Sequence, residues 1–294
     1  MCTAINDVSK FHLFGRTLDL EYSLGEMVTI TPRSFPFSFI HEGKIDSHHA
    51  IIGVAHVIDG IPLYYDGMNE HGLCAAALRF PELCAYHSKT EGKINLASFE
   101  LIPWVLSKFD SAKSAADALR DANITRDNFS NSLPSGELHW MIADKESSYV
   151  IESRHDGLHI YDNPYGVLTN APDFPTQCFV LDNFGDPVPG DLSSSSRFIR
   201  VVNATRHTNL APDKTQAISR FFHILGTVNQ PDGLFRADER QLRTVYTSCM
   251  DTEALIYYFT TYDCRQIRAV KLEADGYKLK EFPVSQKENI QYLN

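Results

Sequence analysis

Cys2, Arg16 and Asp19 fall within the first twenty residues, in the segments Met1-Cys2-Thr3 and Phe14-Gly15-Arg16-Thr17-Leu18-Asp19. Removal of the initiator methionine would leave Cys2 with a thiol and a free α-amine on one residue. An α-amine titrates near ~8, so much of it is available as a base at neutral pH. A thiol is a good nucleophile once a neighbouring base or positive charge draws off its proton. Cys2 is therefore a candidate acyl-transfer centre, with Arg16 favouring the thiolate and Asp19 orienting the amine. The bland alternatives are a small residue at a frayed end and a surface salt bridge. Against them, Ala4, Ile5, His12, Leu13 and Phe14 read as strand residues around a polar turn at Asn6-Asp7, which would tie the terminus into a sheet.

The elements that must hold these residues come from a chain of 294 residues, long enough for a large core and read as one domain over 1–294. A net charge of -10, from 27 basic and 37 acidic residues, speaks against a nucleic-acid partner. No run of about 18 apolar residues predicts a membrane span. Nor does a basic then apolar leader predict secretion, so a cytoplasmic location is expected. Cys2, Cys74, Cys84, Cys178, Cys249 and Cys264 are scattered without a CxxC pair, which fits reduced thiols rather than disulfides or a zinc site. Twelve histidines, His48-His49 among them, show no recognised ligand spacing and read as solvated or core side chains, so no metal is expected.

Strand-like stretches come first, at 12–14, 28–31, 50–57 and 73–78. A helix is expected over 95–109, with Leu101, Trp104, Val105 and Phe109 at helical spacing, and another over 111–120 with Asp110 as its N-cap. A meander follows at 138–143, 148–152 and 158–161, with Asp156-Gly157 as a hairpin signal. Residues 173–196 are rich in Pro, Gly, Asp and Ser and read as an exposed loop. A helix carrying Ile218, Phe221, Phe222, Ile224 and Leu225 precedes closing strands near 244–250, 255–260 and 266–272. This order indicates an antiparallel α+β layered fold and disfavours strict βαβ architectures.

Six segments occur in order: Met1-Cys-Thr-Ala4, Phe14-Gly-Arg-Thr-Leu-Asp19, Tyr65-Asp-Gly-Met-Asn-Glu-His-Gly72, Gly166-Val-Leu-Thr-Asn-Ala-Pro172, Ser196-Arg-Phe-Ile-Arg200 and Tyr246-Thr-Ser-Cys249. Together they resemble the choloylglycine hydrolase family, the bile salt hydrolases and penicillin V acylases within the N-terminal nucleophile (Ntn) hydrolases. The resemblance implies a four-layer αββα sandwich of two antiparallel sheets and linear amide hydrolysis without metal or organic cofactor. It implies Cys2 as nucleophile with its own amine as proton shuttle, Arg16 beside the sulfur, and Asp19 holding the amine. It also implies Asn170 as an oxyanion donor and Arg197 as a brace. Deconjugation of glycine- or taurine-conjugated bile salts leads. A penicillin V or N-acyl homoserine lactone acylase with the same chemistry is the first alternative, and a catalytically idle binder of an anionic amphiphile the second.

Two departures stand out. Bile salt hydrolases usually carry asparagine in a Leu-Asn-Phe-Pro segment, and this chain reads Leu78-Arg79-Phe80-Pro81. The oxyanion contribution there comes from a backbone N–H, which survives, but Arg79 adds a fixed charge that would bias the pocket towards acidic groups. In addition, the stretch between Asn170 and Arg197 is shorter than in many relatives. A homo-oligomer is expected whose usual tetramer contacts are weakened, leaving room for a dimer. For the acyl group, Leu18, Ile61, Leu63 and Leu133 form a candidate apolar pocket poor in aromatics.

Overall fold

The structure is a computed structural model describing residues 1–237, 240–288 and 290, with the backbone alone at 235–237 and 240. The chain opens with β1 (Cys2–Asp7), β2 (Leu13–Leu20), β3 (Met27–Thr31) and a small hairpin of β4 (Phe37–Phe39) and β5 (Gly43–Ile45). A meander of β6 (Ile51–Ile58), β7 (Ile61–Asn69) and β8 (Cys74–Arg79) follows. Next come β9 (Ile94–Ala97), α1 (Leu101–Lys108), α2 (Ala112–Leu119) and β10 (Ala122–Thr125). Four strands complete the first half: β11 (Leu138–Ala143), β12 (Ser148–Arg154), β13 (Gly157–Asp162) and β14 (Val167–Leu168). Three helices, α3 (Phe174–Asp182), α4 (Ser194–His207) and α5 (Lys214–Gly226), lead into β15 (Phe235–Ala237), β16 (Arg240–Asp251), β17 (Ile256–Thr261), β18 (Cys264–Lys271) and β19 (Lys280–Pro283).

Two antiparallel sheets form the middle of the molecule. One runs β14-β1-β2-β16-β17-β18, with β15 paired to β16; the other runs β13-β12-β11-β8-β7-β6-β3-β19. They face each other where β1 and β2 meet β8. Helices α1 and α2 cover the outer face of the second sheet; α4 and α5 cover the first, with α3 packed on α4. The result is the expected αββα order.

Side-chain alternation explains the layering. In β8, Cys74, Ala76 and Leu78 enter the core between the sheets, while Ala75 and Ala77 face α1 and α2. In β11, Met141 and Ala143 point one way, Trp140 and Ile142 the other. Both faces are apolar because both are covered. Gly15 belongs to this close packing: a Cβ there would collide with the Ser248 carbonyl across β16. That makes glycine obligatory between Phe14 and Arg16.

Several boundaries differ from expectation. Asn6 and Asp7 sit inside β1, because Asn6 pairs with Phe14 and Asp7 with Leu13; the chain turns at 8–12. The helix read over 95–109 divides, since Asn95 bonds the Thr90 and Lys93 carbonyls and β9 pairs in parallel with β10. The α-helix begins only at Leu101. Ser111, not Asp110, caps α2, its hydroxyl accepting from Ser114 N–H. The stretch 173–196 is not all loop: Asp173 caps α3 by accepting from Thr176 N–H, and Ser193 caps α4. A serine-rich run read as a loop is thus the start of the helix that carries Arg197.

His12 is a buried joint between β1 and β16. Its Nε2 meets Asn6 Oδ1 and its Nδ1 meets Thr252 Oγ1, both at 2.7 Å. Burial pulls its pKa down to about 4, outweighing the nearby carboxylates of Asp144, Glu253, Asp7 and Asp251. The folded protein therefore keeps His12 neutral while an unfolded histidine takes a proton below about 6.5. Stability from this group is complete above that value and is lost as pH falls towards about 4, by up to about 3 kcal/mol. Urea midpoints measured from neutral pH to pH ~4.5 should fall less steeply in His12→Gln than in the parent. Parallel curves would refute the assignment.

Candidate active site

The first sheet builds one half of the site. β1 lies between β14 and β2, with Cys2 opposite Leu18 and Ala4 opposite both Arg16 and Leu168. Strand alternation puts Cys2, Arg16 and Leu18 on the face turned to the second sheet, and Thr3 and Asp19 on the face turned to the helices. A bulge in β16 between Thr244 and Tyr246, opposite Asp19 and Leu18, aims Thr244 at Asp19. The Thr244 hydroxyl donates to Asp19 Oδ1 at 2.7 Å.

Four charged or nucleophilic groups are held here out of water. Cys2 is 3% exposed, and Arg16, Asp19 and Arg197 are fully buried. Arg16 donates from Nε to Thr17 O and from Nη1 to Tyr65 O, each at 3.1 Å, and from Nη1 to Ala77 O. Its Nη2 has no hydrogen-bond partner among the described residues. Burial opposes the Arg16 charge, but the fields of Cys2, Tyr246, Asp66 and Asp19 outweigh it and hold the pKa above its ordinary value. Burial raises the pKa of Asp19 against the pull of the N-terminal ammonium, Arg197, the Thr244 hydroxyl and Arg16. Asp19 Oδ2 also has no hydrogen-bond partner among the described residues. Met1 sits across from Asp19, its ammonium donating to Asp19 O at 2.8 Å and its carbonyl accepting from Asp19 N–H at 2.9 Å.

Arg197 reaches in from the first turn of α4. Its Nη1 donates to Cys2 O and to Thr3 Oγ1, and its Nη2 donates to Asn170 Oδ1 at 2.6 Å. Asn170 Oδ1 also accepts Cys2 N–H at 2.9 Å, so one side-chain oxygen joins the helix arginine to the nitrogen of Cys2. Burial lowers the Arg197 pKa, with Asp19 and Cys2 pulling it back; a guanidinium keeps its charge regardless. Sequence reasoning missed the residues that fix Asn170. Gln177 on α3 donates to Asn170 O, and Ser194 Oγ accepts from Asn170 N–H at 2.8 Å. Both lie in the stretch read as loop, where no periodicity marked them.

The second sheet contributes the end of β8. Phe80 N–H donates to Glu137 O at 2.8 Å, so ladder alternation turns the N–H and C=O of Arg79 away from β11. On that side β7 has stopped pairing with β8, whose last partner is Ala76. The Arg79 carbonyl accepts from Asn170 Nδ2 at 2.7 Å. The Arg79 N–H therefore points to the same side as the Asn170 amide, next to Cys2.

A cavity of about 330 Å³ opens over Cys2 and Arg16. Leu18, Leu63 and Leu133 line it, as do Arg79 and Met1. Ile61 does not: it is the first residue of β7, 49% exposed and away from the lining. The wall is also not aromatic-poor, because Tyr65, Phe99, Phe129 and Trp140 contribute to it. These aromatics come from four separate segments, and no local spacing in the sequence links them.

A family model for the linear amide C–N hydrolases of the choloylglycine hydrolase family matches residues 2–186 and 185–284. A bile salt hydrolase/transferase of Lactiplantibacillus plantarum is 42% identical, with 92% of each chain covered. One from Clostridium perfringens is 34% identical across the whole of both chains. Among solved structures, a mutant conjugated bile acid hydrolase from Clostridium perfringens superposes with a TM-score of 0.91, at 32% identity and complete coverage of both chains. A penicillin V acylase from Agrobacterium tumefaciens shares the fold, with a TM-score of 0.80 over 96% of this chain and 90% of its own at 20% identity. The molecule thus has the Ntn hydrolase sandwich, and the chain belongs to the choloylglycine hydrolase family, as an amidohydrolase of linear C–N bonds.

Proposed function

We propose that the chain deconjugates glycine- or taurine-linked bile salts through a thioester on Cys2. The observation that carries this reading is that Cys2, Arg16 and Asp19 line a largely apolar cavity while Asn170 and Arg197 are hydrogen-bonded to the Cys2 backbone and to each other. Removal of Met1 turns the Cys2 amide nitrogen into an α-amine beside Asn170 Oδ1, with the unpartnered Asp19 Oδ2 as a further buried acceptor. That amine takes the thiol proton, and Arg16 stabilises the resulting thiolate. Sulfur attacks the amide carbon, and the oxyanion forms against Asn170 Nδ2–H and Arg79 N–H. The ammonium then protonates the departing nitrogen, and water, deprotonated by the same amine, hydrolyses the thioester. The reaction needs a small-molecule amide and no metal or organic cofactor. The enzyme works in the cytoplasm as a single-domain chain and assembles as a homo-oligomer.

A bile salt offers an apolar body and an anionic amino-acid end, and Arg79, an exposed residue that lines the cavity, brings a guanidinium that would match the second. Arg79→Asn keeps the backbone donor and removes the charge. It should raise KM for glycine and taurine conjugates about tenfold, ~1.4 kcal/mol, while leaving turnover of a bile-acid amide with an uncharged amine half within twofold. Release of the amine product, quantified for each substrate, measures both points. No release from any conjugate by the unmodified enzyme would overturn the substrate assignment, and unchanged selectivity in the variant would overturn the role of Arg79.

A further inference from the structure

We infer that His49, Glu70 and His71 form an accessory binding site for a zinc-class divalent metal ion, remote from Cys2. His71 Nε2 lies 3.1 Å from His49 Nδ1, with the rings edge-to-face at 4.3 Å between centroids. Two zinc–imidazole bonds of about 2.0–2.1 Å at a near-tetrahedral angle place their nitrogens about 3.3 Å apart. The pair already has the span of one edge of such a site. A ligand atom of Glu70 lies within 4.8 Å of both, so side-chain movement of ~1 Å brings three donors to bonding distance. Two imidazoles and a carboxylate suit Zn²⁺ and its neighbours Co²⁺, Ni²⁺ and Cu²⁺. The outward, solvent-facing side leaves the fourth position to water.

The surrounding chain fixes the donors. His49 N–H donates to Ser107 O at 3.1 Å, which pins its backbone to the end of α1. Asn69 Oδ1 accepts from His71 N–H at 3.0 Å and from Leu73 N–H at 3.2 Å, while Asn69 Nδ2 donates to Leu106 O and Phe109 O. The turn bearing Glu70 and His71 is therefore held before any ligand arrives. Glu70 Oε1 accepts Ala50 N–H at 2.8 Å, and both its oxygens accept from Arg33, whose side chain is half exposed. Carboxylates that ligate a metal are themselves usually held by hydrogen bonds in this way. The ion would clip the segment before β6 to the β7–β8 turn. Tyr65, which meets Arg16, is five residues back along β7, about 17 Å away, so the clip stands apart from the reaction.

The test uses untagged, chelator-treated full-length enzyme titrated with Zn²⁺ by calorimetry and with Co²⁺ by absorption. One ion per chain should bind with a Kd in the micromolar range, and zinc should raise Tm. His71→Ala and His49→Gln should each weaken binding at least tenfold while amide hydrolysis in metal-free buffer stays at the parent rate. His71 is exposed, so its variant does not depend on repacking. Cobalt spectra should lack the intense thiolate band that coordination by Cys2 would give. No stoichiometric binding, binding unaffected by either substitution, or a thiolate band that vanishes in Cys2→Ala would overturn the site.

Discussion

Cys2→Ala should abolish turnover, lowering kcat by at least ~10⁴-fold, and leave a folded protein. The contacts that place residue 2 are made by its backbone: the nitrogen to Asn170 Oδ1, the carbonyl to Arg197 Nη1, and the strand register opposite Leu18. None of these uses the sulfur. The truncation removes one buried atom, and its stability cost is on the order of 1 kcal/mol. Thermal unfolding and conjugate hydrolysis on the same preparation separate the two effects. A Cys2→Ala enzyme that still turns over would remove sulfur from the reaction.

Asn170→Ala is the second large effect. Its amide Nδ2 donates to the Arg79 carbonyl at 2.7 Å, and loss of one aimed oxyanion donor costs about 10²- to 10³-fold in kcat. The alanine also frees Cys2 N and Arg197 Nη2, so its loss of rate mixes placement with donation. Asn170→Asp separates them. It keeps an oxygen for Arg197 and Cys2 N but puts a carboxylate where the oxyanion forms, and should lower kcat at least as far while KM stays within about threefold. Pre-steady-state and steady-state kinetics report the split. A variant within threefold of the parent in kcat would remove Asn170 from the oxyanion site.

The strands of the site were legible where one face or both read as apolar runs with clean turns. The strand β11 matches its expected span of 138–143, and the Ala/Leu run at 73–78 became β8. The meander strand β7 was not anticipated, since Asp66, Gly67 and Asn69 are poor strand formers. Its ladders to β6 and β8 hold it, and Asp66 within it accepts hydrogen bonds from Tyr246 and Tyr257, residues some 180 positions away. The helix start at Ser194 was hidden because serine signals both loops and N-caps, and only the Ser193 hydroxyl bond to Ser196 N–H decides between them. Cys2, Arg16 and Asp19 could be proposed from proximity in sequence. Asn170 and Arg197 entered only through family resemblance, because their meeting depends on tertiary packing that local spacing does not encode. Ile61 failed for a related reason: its apolar side chain starts a strand beyond the cavity rather than within it.

In the proposed reaction an unblocked Cys2 supplies both the nucleophilic sulfur and the base. Intact-mass and N-terminal peptide analysis of active enzyme, quenched during turnover of a glycine conjugate, tests it most directly. The expected species is a chain that begins at Cys2 and carries the acyl group on that residue, with the adduct absent from Cys2→Ala. Full activity in protein that retains Met1, or an acyl group on any other residue, would contradict it.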